Sequence, residues 1–307
     1  MKSSKKVLVI GGAGFLGSHI ADSLSEQGYT VTIYDIKKSP FLLSDQKEII
    51  GDILDEAALS EAIKGKHVVY NVAGISDIDE SHNRPVDTVK YNILANAYIL
   101  DACVNHKVEK FIFASSAYVY SDSGSFYRIS KQASELLIEG YFEKYKLNYV
   151  ILRYGSLYGE RADRRNSIYR MIEDALTNHK ITYGGDGNEK REFIHVKEAA
   201  NLSVDVLDDK YNNQNLILTG PSVINYADLL NMIKEILHDK IEIEYTPSKS
   251  GTHYKLSPYS FNPKLGKKLI SNPHIDLGQG LLNVISEIHH NLHPELKEKF
   301  GFLVNEK

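Results

Sequence analysis

Cysteine is almost missing from this sequence of 307 residues, which contains only Cys103. A single cysteine cannot form an internal disulfide, and no spacing of cysteine and histidine matches the ligand pattern of a zinc site. We therefore predict a cytoplasmic protein that holds no structural metal, and no residue is assigned as a metal ligand. Cys103 itself is expected to lie in the hydrophobic core.

Long hydrophobic runs are also lacking. No segment approaches the ~18 consecutive apolar residues of a membrane-spanning helix. The first residues, MKSSKK, lead directly into residues 7–10, an apolar run of strand length that is too short for the hydrophobic region of a signal peptide. These observations predict a soluble protein that has no leader and does not bind a membrane.

The chain has no large excess of one charge. Its net charge is −4 and its isoelectric point is near 6.3, so no broad basic field is available for nucleic acid or an anionic membrane. Arginines do cluster locally, and they form either a solvated helix face or a site for one anionic ligand. These arginines are Arg161, Arg164, Arg165 and Arg170.

A glycine loop separates the first predicted strand, residues 6–10, from the first predicted helix, which ends near Gly28. Gly11, Gly14 and Gly17 permit a tight turn, close approach of the main chain to a pyrophosphate, and close packing of helix on strand. The spacing is G-x-x-G-x-x-G rather than G-x-G-x-x-G. Taken alone, such a loop also fits a simple tight turn.

An acidic residue follows the second predicted strand, residues 30–34. Asp35 lies 18 residues beyond Gly17, where a carboxylate can accept both hydrogen bonds of an adenosine ribose. Because Asp35 would repel a 2′-phosphate, NAD is the predicted cofactor. Lys37 and Lys38 nearby leave NADP as the less favoured alternative.

Strands and helices alternate along the first half of the chain. Short apolar runs at residues 49–53, 68–74 and 149–152 read as strands, and residues 85–104 read as a helix. This order predicts an α/β fold with a Rossmann-like, doubly wound parallel sheet. We expect residues 1–160 to form the cofactor domain, together with some later segments, and residues 161–307 mainly to form a smaller α/β substrate lobe.

The reaction centre is predicted within residues 111–135. A buried strand at residues 111–114 would bring Ser115 and Ser116 to the carboxyl end of the sheet, where ligands bind. Tyr127 and Lys131 are four residues apart, so on a helix over residues 127–144 their Cβ atoms would lie about 5–6 Å apart on one face.

These three side chains suit the removal of a proton from an alcohol while a hydride leaves its carbon. A phenol has an ordinary pKa of roughly 10. An ammonium close to Tyr127 would lower this pKa, so that more of the side chain is phenolate, the form that takes up a proton. Ser116 would hold the same substrate oxygen. A Tyr-x-x-x-Lys spacing also arises by chance on a solvated helix face, so the motif alone leaves both readings open.

In this order, the motifs resemble those of the extended short-chain dehydrogenase/reductases, within the NAD-dependent nucleotide-sugar epimerase/dehydratase family. The resemblance runs over nearly the whole chain. Residues 152–159, LRYGSLYG, and residues 185–196, GDGNEKREFIHV, are similar to later motifs of that family, and Asn225 resembles its cap of a following helix.

The resemblance implies roles for individual residues. Asp52 and Ile53 would meet the adenine, and Arg191 would hold the nucleotide diphosphate with its fork of donors. Asn92 would line the cofactor or, alternatively, be a polar core residue, and His195 is more simply a structural histidine. The predicted cofactor-binding residues are Gly11, Gly14, Phe15, Leu16, Gly17, Asp35, Ile36, Asp52, Ile53, Ala73, Asn92, Tyr127, Lys131 and Tyr154. The predicted substrate-binding residues are Ser76, Ser116, Ser156, Asn166 and Arg191.

Two departures from the family pattern narrow the expected reaction. Ala117 and Tyr118 stand where the 4,6-dehydratases carry an Asp-Glu pair, and Ala117 also replaces the cysteine of relatives that epimerise at C3 and C5. Hydride transfer at C4 of a nucleotide-diphosphate sugar remains. Only 11 positions separate Ser116 from Tyr127, which predicts an open pocket, so 4-epimerase and 4-dehydrogenase both stay possible.

The identity of the substrate stays open. The usual second diphosphate arginine is absent from residues 246–256, where Lys249, His253 or Lys255 would substitute. A GDP-linked sugar or a bulky sugar such as a heptose is therefore compatible with the sequence, in the synthesis of surface polysaccharide sugars.

Helical segments 85–104 and 127–144 resemble the dimer interface of relatives, which predicts a homodimer or a larger even assembly. The alternative function is that of a non-catalytic NAD(H)-binding regulator or scaffold.

Overall fold

The computed structural model describes residues 5–238 and 240–247. Strands and helices alternate through most of this part of the chain. In chain order the elements are β1 Lys6–Ile10, α1 Phe15–Glu26, β2 Thr30–Asp35, β3 Lys47–Ile50, α2 Glu56–Ile63, β4 Val68–Asn71, α3 Ile78–Asn83, α4 Pro85–Thr88, α5 Ala95–Asn105, β5 Lys110–Ser116, α6 Ser125–Tyr145, β6 Asn148–Tyr154, β7 Ser156–Tyr158, α7 Ser167–Asn178, β8 Lys180–Gly184, β9 Lys190–His195, α8 Val196–Asp205, β10 Gln214–Leu218, β11 Val223–Asn225, α9 Tyr226–Ile236 and β12 Glu242–Thr246.

Seven parallel strands form the main sheet, in the order β10-β6-β5-β4-β1-β2-β3. The chain leaves β1 toward β2 and β3, and then crosses back to place β4, β5 and β6 on the other side of β1. A crevice opens at such a reversal point, beyond the carboxyl ends of the strands. The predicted α/β fold with a Rossmann-like, doubly wound sheet is therefore confirmed.

The inner strands β1, β4, β5 and β6 are mainly apolar and almost wholly buried, as is typical of a parallel sheet covered on both faces. Helices α1 and α8 cover one face, where Val7, Val9 and Ile20 belong to the core. Helices α2, α5 and α6 cover the other face, and its core includes Leu8 and Cys103. Cys103 is fully buried as predicted, and burial raises the pKa of its thiol.

The strand β5 extends further than its apolar run predicts. Its pairing with β6 continues through Ser115, which lies opposite Arg153, and Ser116, which lies opposite Tyr154. Both serines therefore belong to the strand and are held by the sheet. Conversely, β3 ends at Ile50, so Asp52 lies beyond the strand that was predicted to contain it.

The predicted helix over residues 85–104 is present, but it is not one regular α-helix. A wider turn of π-helix, Val89–Leu94, joins α4 to α5. Insertions of this kind often occur at functional sites, because one extra residue redirects the side chains that follow. Asn92 lies within this turn.

After β6 the alternation loosens. Strands β7, β9 and β11 form one small sheet and β8 pairs with β12 in another, while α7 and α9 pack around a separate core that includes Met171 and Leu230. The strand β10 and the helix α8 return to the main sheet. The proposed domain limits, 1–160 and 161–307, stay a prediction. None of the helices within the described ranges is long and apolar enough to cross a membrane.

Candidate active site

The glycine loop after β1 is packed too closely for a larger residue at Gly11 or Gly17. Gly11 has a left-handed φ of +86°, and a Cβ atom there would lie 2.7 Å from the main-chain nitrogen of Ala73. A Cβ on Gly17 would lie 2.1 Å from the carbonyl oxygen of Gly11. The loop thus contacts both the start of α1 and the segment after β4. Gly14 precedes α1 as its N-cap residue without a side-chain cap, which leaves the helix N-terminus suited to an anion.

Asp35 ends β2 beside this loop. Its Oδ2 accepts a hydrogen bond from the Ala13 main-chain nitrogen at 3.0 Å, which fixes the carboxylate at the crevice. The side chain is only half-buried and lines the same cavity as Ile36 and Lys37. A fixed carboxylate at this point fits the two hydroxyl groups of an adenosine ribose.

Replacing Asp35 by Asn tests this fit. The loss of a charge-assisted hydrogen bond to the ribose costs about 1.5–3 kcal/mol, so NAD affinity should fall by roughly 10- to 100-fold. The affinity for NADP relative to NAD should rise, because the repelling charge is gone. Titration calorimetry with both dinucleotides measures the ratio. Asp55→Asn is the matched control, because Asp55 caps α2 outside the cavity.

The segment after β3 forms another part of the crevice wall. Asp52 Oδ1 accepts from the Leu54 main-chain nitrogen at 2.9 Å, and the Asp52 carbonyl oxygen accepts from the Tyr34 hydroxyl at 2.8 Å. Asp52 and Ile53 both line the cavity, and their contact with the adenine stays a prediction. Gly51 leaves room for Tyr34, since a Cβ there would lie 2.2 Å from the tyrosine hydroxyl oxygen.

Asn92 supports the cavity wall rather than lining it. Its Oδ1 accepts from the Ile75 main-chain nitrogen at 2.8 Å, and its Nδ2 donates to the Ile75 carbonyl oxygen and to Ser130 Oγ. The segment it holds includes Ala73 and Ser76, which do line the cavity. Of the two sequence interpretations, this geometry corresponds to the buried polar residue, with an effect on the cavity through the main chain.

The predicted catalytic residues converge at the carboxyl end of β5. Tyr127, Lys131 and Ser116 all line the cavity, and each is less than one tenth exposed. Lys131 Nζ lies 5.7 Å from the centre of the Tyr127 ring and donates a hydrogen bond to the Ala114 carbonyl oxygen at 2.7 Å. Ser116 Oγ accepts from the Tyr118 main-chain nitrogen at 3.3 Å. The three side chains therefore bring a hydroxyl, a phenol and an ammonium into the cavity at the carboxyl end of β5.

Burial sets the protonation of the ammonium. Desolvation lowers the pKa of Lys131 from 10.5 to about 8, and the Glu135 carboxylate opposes this shift. Lys131 is thus an ammonium below pH ~8 and loses its proton above it. Between pH 8 and 10.5 the unfolded chain binds more protons at this site than the folded chain, so folding becomes more favourable as the pH rises through that window.

Tyr154 and Ser156 follow the end of β6. Tyr154 lines the cavity, but its hydroxyl is 2.6 Å from Ser203 Oγ on α8, so the phenol oxygen is directed into the core. Burial raises the pKa of Tyr154 well above its ordinary value. Ser156 is half-buried at the cavity wall, where the sequence predicted a contact with substrate.

Two of the predicted substrate-binding residues, Arg191 and Asn166, line another part of the cavity. Arg191 is 5% exposed, lines the cavity, and has its guanidinium 5.6 Å from the centre of the Tyr226 ring. Asn166 also lines the cavity, but its side chain caps α7 by accepting from Ile168 and Tyr169 main-chain nitrogens, and it donates to the Leu157 carbonyl oxygen. Its side-chain oxygen and nitrogen are therefore already engaged within the protein.

A single cavity of about 1320 Å³ connects the glycine loop, the predicted catalytic residues and Arg191. Two features of the site were not predicted from the sequence. Tyr118 lines this cavity, and its ring centre lies 6.1 Å from that of Tyr127. Glu135 and Arg153 form an ion pair behind the cavity.

His195 caps α8, which fits the structural role predicted for it. Lys249, His253 and Lys255, the suggested substitutes for a second diphosphate arginine, lie outside the described residues.

The sequence profile of the NAD dependent epimerase/dehydratase family matches residues 7–218. A putative UDP-glucose 4-epimerase from Methanocaldococcus jannaschii is 29% identical over 306 residues, which cover 93% of this chain and 99% of that protein. A UDP-N-acetyl-alpha-D-glucosaminuronate decarboxylase from Bacillus cytotoxicus is 27% identical over 321 residues, covering 92% and 97% of the two chains.

A solved structure also matches the fold closely. The UDP-N-acetylglucosamine 4-epimerase from Methanobrevibacter ruminantium M1, in complex with UDP-N-acetylmuramic acid, superposes with a TM-score of 0.77 at 29% identity. The match covers 83% of this chain and 89% of that chain. Because the family profile spans most of the residues and the fold agrees, the chain belongs to the NAD dependent epimerase/dehydratase family, whose cofactor is NAD.

Proposed function

We propose that this protein oxidises C4 of a nucleotide-diphosphate sugar with NAD and acts as a 4-epimerase. The observation that carries the proposal is the convergence of Ser116, Tyr127 and Lys131 in the cavity that also contains the glycine loop and Asp35. The relatives named above include 4-epimerases of UDP-sugars, which supports the same reaction and makes UDP-sugars the first substrates to test.

The cavity residues fit the cofactor. The close packing around Gly11 and Gly17 leaves main chain, without side chains, at the helix N-terminus, and Asp35 is held at the position suited to a ribose. An ammonium has three N–H donors, of which Lys131 uses one for Ala114, so it can also bind a ribose hydroxyl. Bound NAD supplies the acceptor, and later the donor, of a hydride.

Proton transfer is the task of the protein. Tyr127 as phenolate takes the proton of the C4 hydroxyl, Ser116 holds that oxygen, and Lys131 stabilises the negative charge on the phenol. In epimerisation the keto-sugar turns over within the cavity, and Tyr127 returns a proton to the oxygen once C4 has been reduced on its other face. Arg191 would hold the diphosphate while the sugar turns.

A second candidate is a 4-dehydrogenase, in which the keto-sugar leaves. The short connection after β5 favours it, because only a single turn of 3₁₀ helix, Ala117–Tyr120, and four further residues precede α6. This short connection leaves the pocket more open on that side. An open pocket suits a sugar bulkier than a hexose, or release of the ketone. Ala117 and Tyr118 provide no carboxylate, so water elimination stays the less favoured reaction.

A panel of nucleotide sugars with NAD separates these functions. The panel includes UDP- and GDP-linked hexoses, a GDP-heptose and UDP-glucuronic acid, and the products are followed by NMR and by absorbance at the wavelength of NADH. An epimer without net NADH supports the 4-epimerase, and a keto-sugar with equimolar NADH supports the dehydrogenase. Carbon dioxide from UDP-glucuronic acid would identify a decarboxylase. NAD binding without any turnover would favour the non-catalytic regulator or scaffold.

The cellular setting is proposed on the same basis. Epimerised or oxidised nucleotide sugars are donors for glycosyl transfer, so we place the protein in the cytoplasm, in the supply of sugars for surface polysaccharide. The substrate lobe of residues 161–307 would carry the sugar specificity. Neither nucleic acid nor a membrane is needed for this role.

A homodimer is the proposed assembly. Apolar side chains are exposed on α6 and on the neighbouring helical segment. On α6, Leu136 is 68% exposed and Ile129 is also exposed. On the neighbouring segment, Val86 is 65% exposed and Val89 is also exposed. Exposed apolar side chains on two neighbouring helical segments are typical of an interface, and pairing two copies would form a four-helix bundle.

Charge on this face should prevent the assembly. The double variant Val89→Glu/Leu136→Glu is expected to be a monomer in sedimentation experiments, because a glutamate buried without a partner is strongly disfavoured at an interface. Leu202→Glu is the control, since Leu202 lies on α8 at the opposite face of the sheet. A double variant that still sediments like the parent would show that this face is not the interface.

A further inference from the structure

A buried carboxylate without a role in the reaction proposed above lies one helical turn beyond Lys131. Glu135 is on α6, and its side chain is 8% exposed. Its Oε1 accepts hydrogen bonds from Ser115 Oγ at 2.5 Å and Arg153 Nε at 3.0 Å, and its Oε2 accepts from Arg153 Nη2 at 2.6 Å. One side chain therefore joins α6 to two adjacent strands, β5 and β6.

Arg153, the partner of this carboxylate, is also held by the sheet and by Tyr120. Arg153 lies opposite Ser115 in the register of β5 and β6, so the sheet brings both donors to the same carboxylate. The guanidinium also lies over the Tyr120 ring at 4.8 Å and donates to the Tyr120 hydroxyl. Both oxygens of Glu135 are thus satisfied, as a buried charge requires.

Three consecutive residues of β5 connect this ion pair to the reaction centre. The Ala114 carbonyl oxygen accepts from Lys131 Nζ, the Ser115 hydroxyl donates to Glu135, and Ser116 lines the cavity. A shift of Glu135 would therefore move the end of β5 against α6, and the distances between Ser116, Lys131 and the phenol would change with it.

The negative charge of Glu135 also acts on the ammonium of Lys131. The rings of Tyr127 and Phe113 face the ammonium from α6 and β5, at 5.7 and 4.8 Å from Nζ to the ring centres. Glu135 is the negative charge that raises the pKa of Lys131 against the effect of burial. Further ionisable groups around this network are Arg153 and Tyr149 on β6 and the phenols of Tyr118 and Tyr120 in the turn after β5.

We propose that Glu135 is a positioning residue: its buried carboxylate holds α6 against β5 and β6 and places a negative charge one helical turn from Lys131, beside Tyr127. The consequence for turnover rests on the proposed function, whereas the effect on the charge of Lys131 can be measured without any substrate. Glu135 acts through Lys131 and Ser115 and does not need to touch the substrate.

The first experiment follows the titration of Lys131 by NMR of protein labelled at the lysine ε-carbon. The Lys131 resonance is assigned by its loss from Lys131→Arg. Glu135→Gln keeps the size of the side chain and removes its charge, so the titration midpoint should fall by about one pH unit from the parent value. An unchanged midpoint in a folded Glu135→Gln variant overturns the electrostatic part of the proposal.

The second experiment measures turnover and NAD affinity. Because half of the ammonium is lost near pH 8 in the parent, Glu135→Gln should lose about fivefold in kcat at pH 8 and much less at pH 6, with NAD affinity retained. Glu135→Asp keeps the charge but is one methylene shorter. It should keep the Lys131 midpoint and lower kcat by about tenfold through misalignment.

Glu139→Gln is the matched control. Glu139 lies one turn further along α6, and its contact is with Asn215 at 3.4 Å, away from the cavity. This variant should leave the Lys131 midpoint and kcat unchanged. If Glu135→Gln does not fold, Glu135→Asp still decides, because parental kcat in that variant overturns the alignment part. Parent protein without turnover of any nucleotide sugar would contradict the proposed function, while the NMR titration would still decide the role of Glu135.

Discussion

Replacing Tyr127 by Phe is expected to lower kcat for C4 oxidation by about 10²- to 10⁴-fold, the usual contribution of a general base. The phenylalanine ring can keep the edge contact with Tyr118, whose ring centre is 6.1 Å away, so the fold should not change. NAD affinity should be nearly unaltered, because Lys131, Asp35 and the glycine loop remain. Single-turnover measurement of NADH formation, together with calorimetric titration of NAD, checks both statements.

The control for this substitution lies on the same helix. Tyr141 is also on α6, but its hydroxyl donates to Asp101 on α5 at 2.6 Å, and it does not line the cavity. Tyr141→Phe should therefore keep the parental kcat. Turnover that survives in Tyr127→Phe would contradict the role of this phenol and would require another base in the cavity.

The second large effect is expected at Gly17. An alanine there would place its Cβ 2.1 Å from the Gly11 carbonyl oxygen, and main-chain atoms on both sides cannot move without breaking the turn. Strain of this kind typically costs about 1–3 kcal/mol, which corresponds to a decrease in Tm of roughly 2–12 °C for a domain of this size. NAD affinity should be lost at the same time. Calorimetric unfolding with and without NAD measures both changes.

Two other glycines separate the causes of this effect. At Gly14 an added Cβ would approach only the Gly11 oxygen, at 3.3 Å, so Gly14→Ala should fold normally and lose NAD affinity alone. Gly140 lies inside α6 with nothing within 4 Å of an added Cβ, and alanine should leave stability equal or higher by up to about 1 kcal/mol. A Gly17→Ala protein as stable as the parent would show that the loop can relax around the extra carbon.

Local sequence patterns were sufficient to predict the first strands of the main sheet and the turn between them. The run of residues 6–10 and the spacing from Gly17 to Asp35 depend on neighbours along the chain, and the structure has β1, the turn and β2 at those positions. The same holds for Tyr127 and Lys131, because helical spacing alone puts two side chains on one face. Both reach the cavity that contains Ser116.

Contacts between distant segments could not be predicted in this way. Nothing in the residues around Tyr154 indicates that its hydroxyl is bound by Ser203, because α8 returns to the sheet about 50 positions later. The ion pair of Glu135 and Arg153 depends on the register of β5 and β6, which a single sequence does not specify. Asn166 was predicted to bind substrate, whereas its capping of α7 depends on where that helix begins.

The wide helical turn at Val89–Leu94 limits how the sequence can vary in length. Asn92 reaches the Ile75 main chain from this turn, and its own carbonyl oxygen accepts from Ser134 Oγ at 2.8 Å. A substitution at an exposed position of the turn changes one side chain. Deleting one residue would instead restore a regular helix and rotate one side of the segment by about 100° relative to the other. Insertions and deletions are therefore far more damaging here than point changes, and protein engineers should treat these six positions as a segment of fixed length.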